Sequence, residues 1–188
     1  MGQILLARHG ETEWNALGML QGHTDIPLNE AGRGQARALA AALAGHRIGA
    51  VWTSDLSRAR QTGAIVAEEL GVLALQMDPE LRERGFGVFE GLTRAQCAES
   101  YPDAWRAWQT HSAAPPGGES TEHVVWRLRN ALARIAVASS APTLVVSHGG
   151  IMRLWLMSIL GQSLPLIGNG STWLVELDAE GFTARPLR

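Results

Sequence analysis

Short apolar runs alternate with amphipathic helical stretches along this chain, and that order restricts the fold more than any compositional figure does. Gln3 to Ala7 reads as a buried strand that delivers Arg8 and His9 to its carboxyl end. Asn29 then caps a helix whose stripe is Ala36, Leu39, Ala40 and Leu43, closed by Gly45. Ala50 to Trp52 is a second strand, followed by a helix with Ala59, Thr62, Ile65, Val66 and Leu70 inward, stopped by Gly71. Val72 to Met77 is a third strand. Glu119 to Ala138 has the spacing of a long amphipathic helix, with Val124, Leu128, Leu132 and Ile135 on one face. Thr143 to Val146 is a strand ending at Ser147, His148, Gly149 and Gly150, and a helix from Ile151 to Leu160 follows. Thr172 to Leu177 and Phe182 to Leu187 close the chain as two strands.

This order predicts a three-layer α/β fold, a mostly parallel sheet with helices on both faces. The 188 residues suit one domain. The stretch from Asp78 to Gly118 has little periodicity and is rich in tryptophan, proline and glycine. It is expected to be a small inserted cap with short helices at Thr93 to Glu99 and Pro102 to Gln109. In such sheets ligands bind beyond the carboxyl ends of the strands, where both strand-then-His-Gly junctions fall.

Composition narrows the function. All sixteen basic residues are arginine, so no lysine is present for Schiff-base chemistry or for a Walker phosphate loop, and a GC-rich genome is the simplest source of that bias. A net charge of -2 without a basic block lacks the footprint of a nucleic-acid binder. Arg153 interrupts the best apolar run, so no membrane span is expected, and the N-terminal run lacks the basic lead of a signal peptide. With one cysteine, Cys97, an internal disulfide is impossible, and a cytoplasmic setting is expected. A homodimer is compatible with the sequence, which holds no signal for oligomeric state.

Two histidines, His9 and His148, share the same context: an apolar strand before and a glycine after, which removes bulk beside the ring and is expected to admit a ligand. His23, His46, His111 and His123 have no such context and are expected to be structural or exposed. A neutral imidazole is a nucleophile able to attack phosphorus, and arginine is the planar, permanently charged donor suited to phosphate oxygens. Arg8 adjoins His9, and Arg58 follows the second strand, so both can reach one anion. No helical zinc motif, cysteine cluster or calcium loop is present, and Ser147 lies outside a G-x-S-x-G elbow, so neither a metal nor a serine nucleophile is expected.

The segment LLARHGETEWN, Leu5 to Asn15, resembles the signature of the histidine phosphatase superfamily, the phosphoglycerate mutase-like proteins. Four further blocks stand in the same order: QGHTDIPLNEAGRGQA from Gln21, TSDLSRARQTG from Thr53, LRERGFGVFEG from Leu81 and VVSHGG from Val145. Five ordered blocks over nearly the whole chain are far more specific than an isolated RHG. The resemblance implies the phosphoglycerate mutase-like fold, with His9 as the phosphorylated nucleophile and Arg8, Arg58 and His148 around the phosphoryl oxygens. It further implies Glu83 as general acid and base, Asn15 and Gln21 in the phosphate pocket, a backbone N–H from Gly149, and no cofactor.

The same resemblance separates two activities. Longer, cofactor-dependent phosphoglycerate mutases carry an extra segment with paired arginines, where this chain runs directly from Ala113 to a PPGGES stretch that resembles the short phosphatases of the superfamily. A phosphatase acting on small-molecule phosphate esters is the favoured reading and phosphoglycerate mutase the alternative, with Arg94 the residue that bears on the choice through a carboxylate or second phosphate. Phe86, Phe89, Tyr101, Trp105 and Trp108 are expected to wall the leaving-group pocket. Arg60, Arg82, Arg84 and Arg153 are expected to be surface charges, Glu90 a partner of backbone or arginine, and Trp52, Trp126, Trp155 and Trp173 core or near-core residues.

Overall fold

The computed structural model describes residues 2–110 and 112–187; His111, expected to be structural or exposed, lies outside them. The chain order is β1 (Gly2–Arg8), α1 (Glu13–Ala16), α2 (Glu30–Leu43), β2 (Ala50–Thr53), α3 (Ser57–Leu70), β3 (Leu75–Met77), α4 (Arg94–Ser100), α5 (Pro102–Gln109), α6 (Thr121–Ala138), β4 (Thr143–Ser147), α7 (Gly149–Leu160), β5 (Thr172–Leu177) and β6 (Phe182–Pro186).

One six-stranded sheet has the order β3-β2-β4-β1-β5-β6. The first four are parallel, whereas β5 runs antiparallel to β1 and β6 antiparallel to β5. Side chains alternate across the pleat. Ile4, Leu6 and Val145 therefore join the apolar stripes of α6 and α7, including Leu128, Leu132 and Trp155. Leu5, Ala7, Val51, Leu144 and Val146 enter the opposite layer with Leu39, Leu43, Ala59 and Val66 of α2 and α3. The expected three-layer α/β architecture is thus present, with an antiparallel edge contributed by the two C-terminal strands.

Local signals explain most boundaries. The Asn29 side chain accepts from the Gly32 amide and starts α2. Gly71, at φ 67°, ends α3, and the Val72 amide donates back to the Ala67 carbonyl at 2.8 Å. That cap consumes the start of the strand expected from Val72, so β3 begins only at Leu75. The expected stop at Gly45 is different: α2 ends at Leu43, and the left-handed residue beyond it is Arg47, at φ 48°. Ile65 and Leu70 are only half-buried, while Arg58, Gly63 and Ala67 share the covered face of α3.

Trp155 is buried and Trp52 and Trp173 pack against the core, but Trp126 is 60% exposed. It stands two residues beyond Val124, on the opposite side of α6, where it stacks on His123. Between β3 and α6, Phe86, Phe89, Cys97 and Trp105 form a separate small apolar cluster. Among the described residues, no helix is long and apolar enough to cross a membrane.

Candidate active site

Strands β1 and β4 are parallel neighbours, with Arg8 opposite Ser147 in register. The next residue of each strand is a histidine, and the His9 amide donates to the Ser147 carbonyl at 3.0 Å. The two rings come within 5.0 Å, centroid to centroid, at an interplanar angle of 61°. Sheet register, not sequence proximity, builds this pair.

His9 is only 3% exposed but lines a cavity of about 570 Å³. Its Nδ1 lies 2.6 Å from the Gly10 carbonyl, which can only accept, so Nδ1 carries the proton and Nε2 keeps its lone pair. Burial, then the charges of Arg58 and Arg8, hold the pKa of His9 well below its ordinary value. A neutral imidazole with a free Nε2 is a nucleophile.

His148 has the opposite tautomer. Arg58 Nε donates to its Nδ1 at 3.2 Å, so the proton sits on Nε2. That Nε2 is buried and finds no partner among the described residues. Burial and the Arg58 charge again depress the pKa. His148 is fully buried and packs against His9 and Arg58, both of which line the cavity.

Arg58 rises from the first turn of α3 and spends three of its N–H groups on His148, the Thr24 carbonyl and the Gly22 carbonyl, leaving two. Desolvation lowers its pKa to about 10, so it remains charged at neutral pH. Arg8 donates to the Ile167 carbonyl, while its Nε is buried without a partner among the described residues. Both guanidinium groups line the cavity, together with Asn15, Gln21, Glu83, Arg94 and Gly149. The Gln21 Oε1 atom is a further buried polar atom with no partner among the described residues.

Glu83 faces the cavity from the loop after β3. Its carboxylate accepts from the amides of Gly150 and Ile151 at the start of α7, and from its own neighbour Arg84, each at 2.8 Å. The glycines that follow the histidines admit protein rather than ligand. A Cβ on Gly10 would lie 2.3 Å from the Gly32 carbonyl oxygen of α2, one on Gly149 3.0 Å from Arg8 Nε, and one on Gly150 2.6 Å from Glu83 Oε1.

Other expectations need correction. Arg84 is 4% exposed and lines the cavity, its Nε donating to the Glu119 carbonyl. Arg153 also lines the cavity and donates to the Leu164 carbonyl. Arg82 does form a surface ion pair, with Asp55, and Glu90 accepts from the amides of His23, Thr24 and Phe86. Of the five aromatic residues expected as pocket walls, only Phe86 and Trp108 line the cavity; Phe89 and Trp105 are buried in the separate cluster, and Tyr101 stands edge-on to Phe89.

Three residues escaped sequence reading. Asn169, in the loop before β5, donates to the His9 carbonyl at 3.0 Å and to Asn15 Oδ1 at 3.3 Å. Glu119 and Arg127 form a largely buried ion pair at 2.9 Å beside the loop that carries Glu83. Among the described residues, no cluster of three or more histidine, cysteine, aspartate or glutamate side chains is placed to hold a metal ion.

A parallel-sheet rim that gathers two neutral histidines, two charged arginines and a carboxylate defines the class: an enzyme of phosphoryl groups. Its sequence is 37% identical over 181 residues to the metal-independent phosphoserine phosphatase of Arabidopsis thaliana, covering 93% of this chain and 76% of that protein. It is also 39% identical over 156 residues to phosphoglycerate mutase-like protein 4 of the same plant, covering 80% and 68%. The fold superposes on a mycobacterial glucosyl-3-phosphoglycerate phosphatase solved with VO3 at a TM-score of 0.86 and 29% identity, covering 99% and 97% of the two chains. Residues 4–187 match the histidine phosphatase superfamily, branch 1, and the chain belongs to that family. It is an enzyme of the histidine phosphatase type.

Proposed function

We propose that this enzyme hydrolyses small-molecule phosphomonoesters through a phosphohistidine on His9, in one catalytic domain spanning residues 1–188 with a cap at about 78–118. One observation carries the reading: two buried donors, Arg8 Nε and His148 Nε2, lack partners among the described residues beside a neutral His9. Orphaned buried donors are costly and rare, and a phosphoryl group supplies the acceptors that would satisfy them.

In the first half-reaction the Nε2 lone pair of His9 attacks phosphorus. The ester P–O bond breaks and the leaving oxygen takes a proton from Glu83. Arg8, Arg58, His148 Nε2–H, Asn15, Gln21 and the Gly149 amide hold the phosphoryl oxygens, whose charge the two arginines offset. In the second, Glu83 takes a proton from water as its oxygen attacks phosphorus, and the P–N bond breaks to release inorganic phosphate and neutral His9. This sequence needs no cofactor. The buried thiol of Cys97 fits a reducing, cytoplasmic setting.

Arg84 and Arg94, both in the cavity wall, favour a second reading: transfer between phosphoglycerates, whose carboxylate they would bind. A panel of phosphorylated metabolites assayed for phosphate release, run beside 3-phosphoglycerate with and without 2,3-bisphosphoglycerate, separates the two. Hydrolysis supports the proposal; bisphosphate-stimulated isomerisation with little free phosphate supports the second reading. Hydrolysis of p-nitrophenyl phosphate should vanish in His9→Ala, and undiminished turnover in that variant would overturn the phosphohistidine route.

A further inference from the structure

Around the back of Glu83 lies a polar hub that the chemistry above does not use. Glu119, just before α6, takes Arg127 Nε on one oxygen at 3.0 Å, and Arg127 Nη2 at 2.9 Å and the Gly85 amide at 2.7 Å on the other. Arg127, on the buried face of α6, then fans its terminal nitrogens over the carbonyls of Glu80 at 2.7 Å, Arg82 at 2.8 Å and Glu83 at 2.9 Å. The Glu83 carbonyl receives a second donor, His23 Nε2, at 2.8 Å, and the same nitrogen lies 3.5 Å from Glu119. The main chain from Glu80 to Gly85 is thereby fastened at four of its six residues by one ion pair and one histidine.

This concentration has a physical meaning. The Glu80–Gly85 stretch is largely irregular, so its backbone groups have few regular partners of their own, and a bent loop is a poor platform for a proton-transferring group. An arginine with its charge balanced by Glu119 can serve several carbonyls at once, since its fork presents five N–H groups in a fixed plane. A lone buried arginine would be far more expensive to desolvate. At the front, the Glu83 carboxylate rests on the first amides of α7. Glu83 is therefore held at both ends, its carboxylate by α7 and its carbonyl by Arg127 and His23.

We propose that Glu119, Arg127 and His23 are positioning residues that hold the Glu83 carboxylate at the leaving oxygen. The inference rests on the acid and base role given to Glu83 above. It assigns the ion pair to proton transfer rather than to phosphoryl binding, which predicts a dependence on the leaving group. An alkoxide needs a proton as the P–O bond breaks, whereas p-nitrophenolate is stable enough to depart without one.

The test compares kcat/KM for glycerol 2-phosphate and p-nitrophenyl phosphate in full-length wild-type enzyme and in Glu119→Gln, Arg127→Met, His23→Ala and Glu83→Gln. Misplacing an acid group by about 1 Å costs roughly 10- to 100-fold. In kcat/KM, which reports phosphorylation of His9 and not the later water step that Glu83 also serves, Glu119→Gln and Arg127→Met should lose that much on glycerol 2-phosphate and at most about threefold on p-nitrophenyl phosphate. His23→Ala should show the same selectivity on a smaller scale. The His23 side chain is 40% exposed, so this variant should fold even if the ion-pair variants do not, and it then decides the matter. His123→Ala is the control: its side chain is 56% exposed and lies 3.5 Å from the other Glu119 oxygen, without contact to Glu83, so neither substrate should be affected. Equal losses on both substrates, or none on either, would overturn the positioning role. If Glu83→Gln itself lacks leaving-group selectivity, the acid role of Glu83 falls and takes the inference with it, whereas selectivity in Glu83→Gln alone overturns the inference and leaves the proposed function intact.

Discussion

His9 and His148 have opposite proton placements because each has a different fixed neighbour on Nδ1: a carbonyl that accepts for His9, and a guanidinium that donates for His148. Nitrogen-15 NMR should therefore find both rings neutral at pH 6.5, protonated on Nδ1 in His9 and on Nε2 in His148. A protonated His9 at that pH would contradict the depression caused by burial and the two arginines. The glycines divide in the same residue-level way. A methyl on Gly150 would meet the flexible end of Glu83, so Gly150→Ala should fold normally yet lose roughly 10- to 100-fold in kcat. A methyl on Gly10 would meet the backbone of α2, and Gly10→Ala should instead cost about 1–3 kcal/mol in a denaturation curve. From the sequence alone, Gly10, like Gly149, looks like room for a ligand.

At the scale of elements, α5 shows where periodicity stops being informative. Trp105 and Trp108 are three residues apart on one helical face, so both read equally as pocket walls. In the structure Trp105 is buried with Phe89 and Cys97, while Trp108 reaches the cavity edge. Trp105→Ala should therefore destabilise the segment by about 3–5 kcal/mol, measured by thermal or chemical unfolding. Trp108→Ala should mainly raise KM for esters with apolar leaving groups, and an unchanged KM would remove Trp108 from the pocket. Helix α6 carries the converse lesson. Its stripe at Val124, Leu128, Leu132 and Ile135 was legible and is buried, and the same wheel already places Trp126 on the far side. Reading Trp126 as core followed its residue type where its helical position should have prevailed.

Across the whole molecule, folding must bury several ionisable groups near one rim, and this links stability to pH. The folded pKa values of His9 and His148 lie below the ordinary value of 6.5. The unfolded chain thus binds more protons below that pH, so stability is full above it and falls as the solution is acidified, by up to about 1.4 kcal/mol per pH unit for each histidine. Glu119 adds to the trend at lower pH. Although burial opposes ionisation, hydrogen bonds from His23, Arg127 and the Gly85 amide hold its carboxyl well below the ordinary 4.5, so its contribution is present above that value and lost below it. Urea midpoints should decline from pH 7 to pH 4, and Glu119→Gln should flatten the part of that decline below about pH 4.5. A midpoint independent of pH would contradict the burial of these groups.

The sequence by itself determined the elements and which of them end in chemistry. Strand and helix periods, the Asn29 and Gly71 caps, and the matched strand-then-His-Gly junctions are local, because a residue's own neighbours set backbone conformation and the buried face. Only the tertiary structure decided that β4 lies beside β1, so that His9 and His148 meet across 139 positions of chain. It likewise brought Asn169 to the back of His9, and Glu119, Arg127 and His23 to the back of Glu83. Polar partnerships of this kind leave no period in a sequence. A buried charge needs a partner but does not specify where along the chain that partner comes from, and the choice is made by which loops the packed sheet brings into contact.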